Sequence, residues 1–280
     1  MSLKQALLSK ETMIREQWHL MLLAISFFTR IPVKHSVDIS SKMLNEASRY
    51  FALVGLIVGA FSALAFYLAI TIVPVEIALL IAMFTSVLLT GAFHEDGWAD
   101  VWDGFGGGWT IENKLNIMKD SRLGTYGAAA LFFILMIKYQ TLLALINASF
   151  VDEITANNML SMTSLLLLGH CLSRVLATSL IVGMPYVSED ATSKVKPLAQ
   201  QLSTNSYLIL LTTGLLILAF TLSLSIAWKL VAVLFITRWC LKVWFTKQLG
   251  GYTGDCLGAA QQLSEVVIYI TLLSLTGVNL

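Results

Sequence analysis

Acidic side chains crowd one short stretch of this 280-residue chain. Residues 93 to 127 hold Glu95, Asp96, Asp100, Asp103, Glu112 and Asp120, six of the seventeen acidic residues, in a chain of which only 12% is charged. Asp96, Asp100 and Asp103 are spaced i, i+4, i+7, which on a helix puts them on one face, close enough to share a cation. Three such carboxylates repel one another without a counter-charge, most of all near a low-dielectric boundary. Hard divalent cations take oxygen ligands, and Mg2+ is typically held by a few carboxylates together with substrate phosphates. A solvated acidic face is the plain alternative; Trp98, Ala99, Val101 and Trp102 make the surroundings apolar and speak against it.

Behind the carboxylates comes Gly104-Phe105-Gly106-Gly107-Gly108. Glycine permits φ > 0 and close approach of the backbone, so the amides of Gly106, Gly107 and Gly108 are candidates for phosphate contact, with a flexible loop as the alternative. Thr110 is placed to cap a short helix whose apolar stripe, Ile111, Leu115 and Met118, suits a membrane surface. Lys119, Asp120 and Arg122 follow; two cations around a carboxylate can bind phosphate, orient a base or mark the interface. A second constellation, Gly250 to Gly258, either turns Asp255 toward the same pocket or uses it as the N-cap of the last helix. Lys138, His170, Arg174 and Arg238 lie inside apolar runs, where ionisable groups are costly and functional by default. His170 and Arg174 share a helix face; Arg174 either reaches a phosphate or pairs with a buried carboxylate, whereas Lys138 and Arg238 read as structural. There is no nucleophile elbow, zinc spacing, P-loop or dinucleotide fingerprint. Carboxylates, glycines and basic groups together suit metal-assisted transfer of a phosphorus-centred group.

The elements that must position these residues are helices. The chain is 57% hydrophobic, and apolar runs of roughly 20 residues recur along it, the mark of an all-α polytopic membrane protein. Seven spans are expected near 50–72, 76–93, 125–148, 157–183, 205–223, 229–247 and 257–277, forming one domain over 1–280. Residues 18–29 are apolar but short, which predicts an interfacial or re-entrant helix. The polar residues before them lack a signal-peptide cleavage site. Lys and Arg gather before residue 50, in 94–124, in 184–204 and at Lys247, and avoid the connections near 73–75, 149–156 and 224–228 except for Lys229 at the edge of the last. The positive-inside rule therefore places the acidic loop, the His35 region, the Tyr186–Leu202 loop and the Gly250–Gly258 turn on the cytoplasmic side. A net charge of +1 and the lack of a basic patch exclude a nucleic-acid surface. Cys171, Cys240 and Cys256 form no metal pattern and read as packing residues.

Four segments together resemble the cobalamin synthase family, the adenosylcobinamide-GDP ribazoletransferases. They are Phe28-Thr29-Arg30-Ile31-Pro32, His94-Glu95-Asp96-Gly97-Trp98-Ala99-Asp100-Val101-Trp102-Asp103-Gly104, Lys119-Asp120-Ser121-Arg122-Leu123-Gly124-Thr125-Tyr126-Gly127 and Gly250-Gly251-Tyr252-Thr253-Gly254-Asp255-Cys256-Leu257-Gly258-Ala259. The resemblance implies a bacterial inner-membrane enzyme that needs Mg2+ and joins adenosylcobinamide-GDP to α-ribazole or its 5′-phosphate, releasing GMP. On this reading Glu95, Asp96, Asp100 and Asp103 are the expected metal ligands, and Asp103 or Asp120 with Lys119 and Arg122 are expected in catalysis. Arg30, His94, Gly106, Gly107, Gly108, Arg174 and Asp255 would bind substrate. Some relatives carry Leu at the position of Glu95, which leaves the three aspartates as the firmer ligand set. A homo-oligomer is compatible with this reading. The Asp-Gly-x-x-Ala-Asp segment is also similar to part of the CDP-alcohol phosphotransferase signature. A membrane prenyltransferase and a cation-coupled transporter are the rival classes; the first would need a second Asp-rich motif, the second a midplane site.

Overall fold

Backbone amides and carbonyls cannot stay unpaired in lipid, and apolar runs of this length satisfy them by coiling into helices. The computed structural model describes residues 3–34, 39–149, 156–187 and 200–275, and is all-helical there apart from one parallel bridge between Tyr186 and Tyr252. The α-helices in chain order are α1 (Leu3–Phe28), α2 (Ser41–Ala47), α3 (Phe51–Ile70), α4 (Val75–Thr90), α5 (Phe93–Gly107), α6 (Ile111–Met118), α7 (Thr125–Ser149), α8 (Ala156–Ser179), α9 (Thr204–Thr221), α10 (Leu224–Leu249) and α11 (Gly254–Leu275). Side-chain caps open several of them: Ser40 accepts from the Met43 amide, Thr110 from Asn113 and Ser203 from Ser206.

Every expected span falls on a helix, yet not every one qualifies as a span. Among the described residues, five helical stretches are long and apolar enough to cross a membrane: Ser41–Ile70, Thr125–Ala148, Thr204–Thr221, Leu224–Leu249 and Gly254–Leu275. Counting α4 and α5 as one bent span makes six. α4 has only 16 residues, and α8 buries His170, Ser173 and Arg174 along its length. Residues 18–29 are not a short separate helix but the second half of the 26-residue α1. The polar residues ahead of them are good helix formers, so the helix runs on where the hydropathy stops. His35, residues 188–199 of the expected Tyr186–Leu202 loop, and the 150–155 connection with Asp152 and Glu153 lie outside the described residues.

Close packing rests on small residues. A Cβ on Gly55 or Gly59 of α3 would run into the α8 backbone at His170 or Leu166, so the two helices touch main chain to main chain. α11 packs against α5, α7, α8 and α10 and is the central element. Outward-facing Leu64, Phe84, Phe133, Phe220, Phe235 and Trp239 form an apolar surface of the kind lipid covers. Cys171 and Cys256 are buried and Cys240 faces outward.

At one end of the bundle the polar connections meet. The Arg30 amide donates to Leu89 O (2.7 Å), and Lys114 Nζ donates to Gln248 Oε1 (2.6 Å). The Tyr252 amide donates to Pro185 O and the Val187 amide to Tyr252 O, both at 3.0 Å.

Candidate active site

The site begins at a bend. α4 ends on Gly91 in the left-handed region (φ +65°), Ala92 follows at φ +59°, and α5 leaves at 86° to α4. Left-handed backbone suits Gly91 but is uncommon for alanine, so Ala92 is a strained position that the surrounding packing imposes. Arg30 lies over this bend, its guanidinium where a Gly91 side chain would stand. It is exposed and packs on the junction.

The acidic segment is thus a helix, not a loop, and α5 lies outside the five spans. Its one-letter rhythm sorts the carboxylates by face. Asp96 is exposed, Asp100 half-buried and Asp103 buried, along one side of the helix. Glu95, one residue earlier, is turned inward and buried.

α5 crosses α11 where Gly97 meets Gly258: a Cβ on Gly258 would come 3.4 Å from the Gly97 Cα, and one on Gly97 would come 2.8 Å from Asp255 O. With no side chains between the helices, Asp255 is carried up to the aspartate face. Thr253, not Asp255, caps α11, accepting from the Cys256 amide (3.3 Å), while its hydroxyl donates to Asp255 Oδ2 (3.3 Å). Burial first, then the charges of Asp255, Asp96 and Asp103, push the Asp100 carboxyl up to about 7. A half-buried carboxylate crowded by others in this way gains from a cation.

The donor chemistry therefore fits Mg2+, with a qualification on how much the protein supplies. Among the described residues, no three His, Cys, Asp or Glu side chains converge as a ready-made metal site. One or two carboxylates from Asp96, Asp100 and Asp255 would serve, with substrate phosphates completing the sphere, as is usual for this ion.

Asp103 has a different engagement. Its Oδ2 accepts from the Gly124 amide (2.7 Å) and its Oδ1 from the Gly127 amide (2.8 Å), so it caps the N-terminus of α7 from a neighbouring helix. A Cβ on either glycine would strike the carboxylate. Asp120 is gripped by Arg122, whose Nε donates at 3.0 Å and whose NH2 donates at 2.5 Å. These hydrogen bonds hold the Asp120 carboxyl down at about 2, which makes it a poor proton acceptor in this state. Arg122 itself is exposed, as is Lys119.

The glycine run departs from expectation. Gly106 and Gly107 form the last turn of α5, and the Gly108 amide donates to Gly104 O (2.9 Å). Their amides sit at the negative end of a helix, the wrong end for a phosphate. The glycines are needed for space instead: a Cβ on Gly106 would meet the Tyr126 ring at 2.6 Å.

His94, Glu95 and Arg174 also leave the expected place. They line a buried polar cavity behind α5, together with Ser86, Thr90, His170, Gln261, Gln262 and Glu265. Arg174 is buried there, its NH1 donating to His170 O (2.8 Å). Lys138 pairs with Glu265 (2.6 Å), and Gln261 and Tyr269 donate to the same glutamate. Arg238 is structural, donating to Ser179 Oγ and to the carbonyls of Ser179 and Val182 at the end of α8. Glu265, Gln261 and Gln262 stand outside the motifs that the sequence singles out. A glutamate inside an apolar span is nonetheless a signal in its own right. The cavity is small, about 10 Å³.

Similarity to known proteins extends over nearly the whole chain. The cobalamin-5-phosphate synthase family profile matches residues 20–273, from the middle of α1 to the end of α11. The adenosylcobinamide-GDP ribazoletransferase of Shewanella pealeana is 52% identical over 263 residues, covering 93% of this chain and 97% of the relative. That of Shewanella frigidimarina is 50% identical over 262 residues, covering 92% and 95%. No solved structure matches the chain. A match that takes in the bend, the α5–α11 crossing and the capped start of α7 leaves one conclusion: the chain belongs to the cobalamin-5-phosphate synthase family.

Proposed function

We propose that this protein is an Mg2+-dependent adenosylcobinamide-GDP ribazoletransferase of the bacterial inner membrane, acting in the last steps of cobalamin assembly. It joins adenosylcobinamide-GDP to α-ribazole, or to α-ribazole 5′-phosphate, and releases GMP. The observation that carries the reading is the Gly97–Gly258 crossing, which sets Asp255 against Asp96 and Asp100 at the polar end of the bundle.

In the reaction the ribose hydroxyl attacks the phosphorus nearer the corrinoid. The new O–P bond forms, the P–O bond to GMP breaks, and the hydroxyl proton passes to a carboxylate of the α5 face. Asp96, Asp100 and Asp255 would hold Mg2+, which when bound supplies neutralisation of the pyrophosphate and of the departing phosphate. Lys119 and Arg122, exposed on the connection after α6, would grip phosphate oxygens; a guanidinium does so with a fork of donors. Asp103 holds α7 and the residues 119–124 against α5, so that both halves of the site keep their spacing. Orientation and electrostatics supply most of the rate in such transfers.

The membrane arrangement belongs to the same proposal. Seven helices cross, α4 and α8 included, α5 and α6 lie at the surface, and the site faces the cytoplasm. Support comes from the Lys and Arg of residues 94–124 and from Lys247, which share the site's end of the chain's connections. A cytoplasmic site meets soluble nucleotide substrates without transport. A homo-oligomer is compatible with this arrangement.

The test is a purified-protein reaction with adenosylcobinamide-GDP, α-ribazole and Mg2+, followed for GMP and for the cobalamin product. Equal release of both is expected. Release of inorganic pyrophosphate, or uptake into proteoliposomes with no conversion, would overturn the proposal.

A further inference from the structure

The buried polar cavity behind α5 has no contact with the solvent-facing aspartates, and the reaction as derived does not use it. It is costly. Glu95, His170, Arg174, Gln262 and Glu265 are each at most 6% exposed. Among the described residues, Glu95 Oε2, Gln262 Oε1 and Arg174 Nε find no hydrogen-bond partner in the protein. Apolar residues of similar volume would pack the same space with less loss, because a buried ion pair is weak as a source of stability and an orphaned polar atom costs directly.

Its position suggests what the cost secures. One hydrogen bond spans α5 and α11 there: Gln262 Nε2 donates to Glu95 Oε1 (3.0 Å). Gln262 is one turn beyond Gly258, and Glu95 precedes Asp96. At the crossing itself two glycines meet and bring no side chains to it, so this hydrogen bond joins the hold of Asp103 on the start of α7 in fixing the roll of α5 about its own axis. Successive helical residues point about 100° apart, so a rotation that moves Glu95 also swings Asp96 and Asp100 relative to Asp255. Gln262 is in turn held by α11 and α8: its Nε2 also donates to Gln261 Oε1 (2.9 Å), and Gln261 donates to Ser173 Oγ (3.0 Å) and Glu265 Oε2 (2.9 Å).

We propose that Glu95 and Gln262 are positioning residues, which lock the roll of α5 on α11 and thereby aim Asp96 and Asp100 at the cation they share with Asp255. This rests on the aspartate reading given above. Glu95, on this view, acts on the metal through the helix and is not a ligand.

The experiment measures Mn2+ binding by electron paramagnetic resonance on the full chain in detergent with GDP present, alongside GMP release. Gln262→Leu is expected to weaken Mn2+ binding about tenfold or more, the scale of an outer-shell change, and to raise the Mg2+ needed for half-maximal turnover in step. Glu95→Gln keeps an acceptor for Gln262 and is expected to bind Mn2+ within about threefold of wild type, well short of that loss. Should Gln262→Leu fail to accumulate, Glu95→Met breaks the same contact from α5. Wild-type Mn2+ binding in the folded contact-breaking variant, with turnover lost or kept, overturns the positioning role. A tenfold loss in Glu95→Gln overturns it differently, by showing that the charge of Glu95 itself binds the metal. Asp100→Asn is the separate control. If it too binds Mn2+ like wild type, the aspartate reading fails, and the positioning role with it.

Discussion

Gly97 on α5 and Gly258 on α11 meet with nothing but backbone between them. That approach is the pivot of the site, because a Cβ on Gly97 would stand 2.8 Å from the carbonyl of Asp255. Gly97→Ala should therefore separate the carboxylates and cut GMP release by about a hundredfold, the scale expected of an ångström-sized misplacement. Gly254→Ala, where an added Cβ meets nothing within 4 Å, should stay close to wild type. Steady-state turnover of the two variants, purified side by side, makes the comparison.

Asp100 links the site to pH. Its carboxyl is held at about 7 in the fold, above the ordinary 3.8, so the folded protein binds more protons than the unfolded chain between those values. The stability that this proton contributes is complete below about pH 4 and is lost as the pH rises through about 7. Without divalent cation, the unfolding temperature should fall across that window, and Asp100→Asn should remove this part of the fall. Added Mg2+ should oppose it, since a cation replaces the proton. Differential scanning fluorimetry against pH, with EDTA and with Mg2+, reads all three.

Asp103 makes a structural prediction. Asp103→Ala leaves the Gly124 and Gly127 amides without their acceptor at the start of α7, at a cost of about 1–2 kcal/mol. Hydrogen exchange at residues 124–127 should quicken, with the middle of α7 still protected. Asp103→Asn, which keeps one carbonyl acceptor, should show a smaller change.

The buried pair Lys138–Glu265 should behave asymmetrically. Lys138→Met removes the paired cation of a fully buried carboxylate and should destabilise by about 3–5 kcal/mol, whereas Lys138→Met with Glu265→Leu should recover only part of the loss, because Gln261 and Tyr269 then lose their buried acceptor. Thermal unfolding of the single and double variants decides it.

Arg122 is the surface counterpart. Its pair with Asp120 lies at the surface, and such pairs add little to stability, so Arg122→Gln should leave the unfolding temperature unchanged. The KM for the corrinoid substrate should rise about tenfold, the worth of one charge-assisted hydrogen bond to phosphate. An unchanged KM would remove Arg122 from the substrate site.

Much of this was written in local pattern. The i, i+4, i+7 spacing of Asp96, Asp100 and Asp103 declares a shared helical face, and Thr110 declares a helix start, because both depend only on helical periodicity and a nearby amide. The apolar runs declare the helices for the same reason: backbone satisfaction in lipid is a local demand. The glycines at 106–108 are ambiguous in sequence because glycine has two uses, conformational freedom and lack of a side chain. Only the presence of Tyr126 over Gly106 shows that the second applies.

What tertiary structure decided is partnership. Glu95 and Asp96 are neighbours in sequence, yet one joins a buried polar cavity with Gln262 and the other faces outward beside Asp100 and Asp255. Nothing in the spacing of α5 reveals which face α11 will cover. That choice depends on where two glycines 161 positions apart allow the helices to touch, and it divides four similar carboxylates between an outward face, a helix cap and a buried cavity.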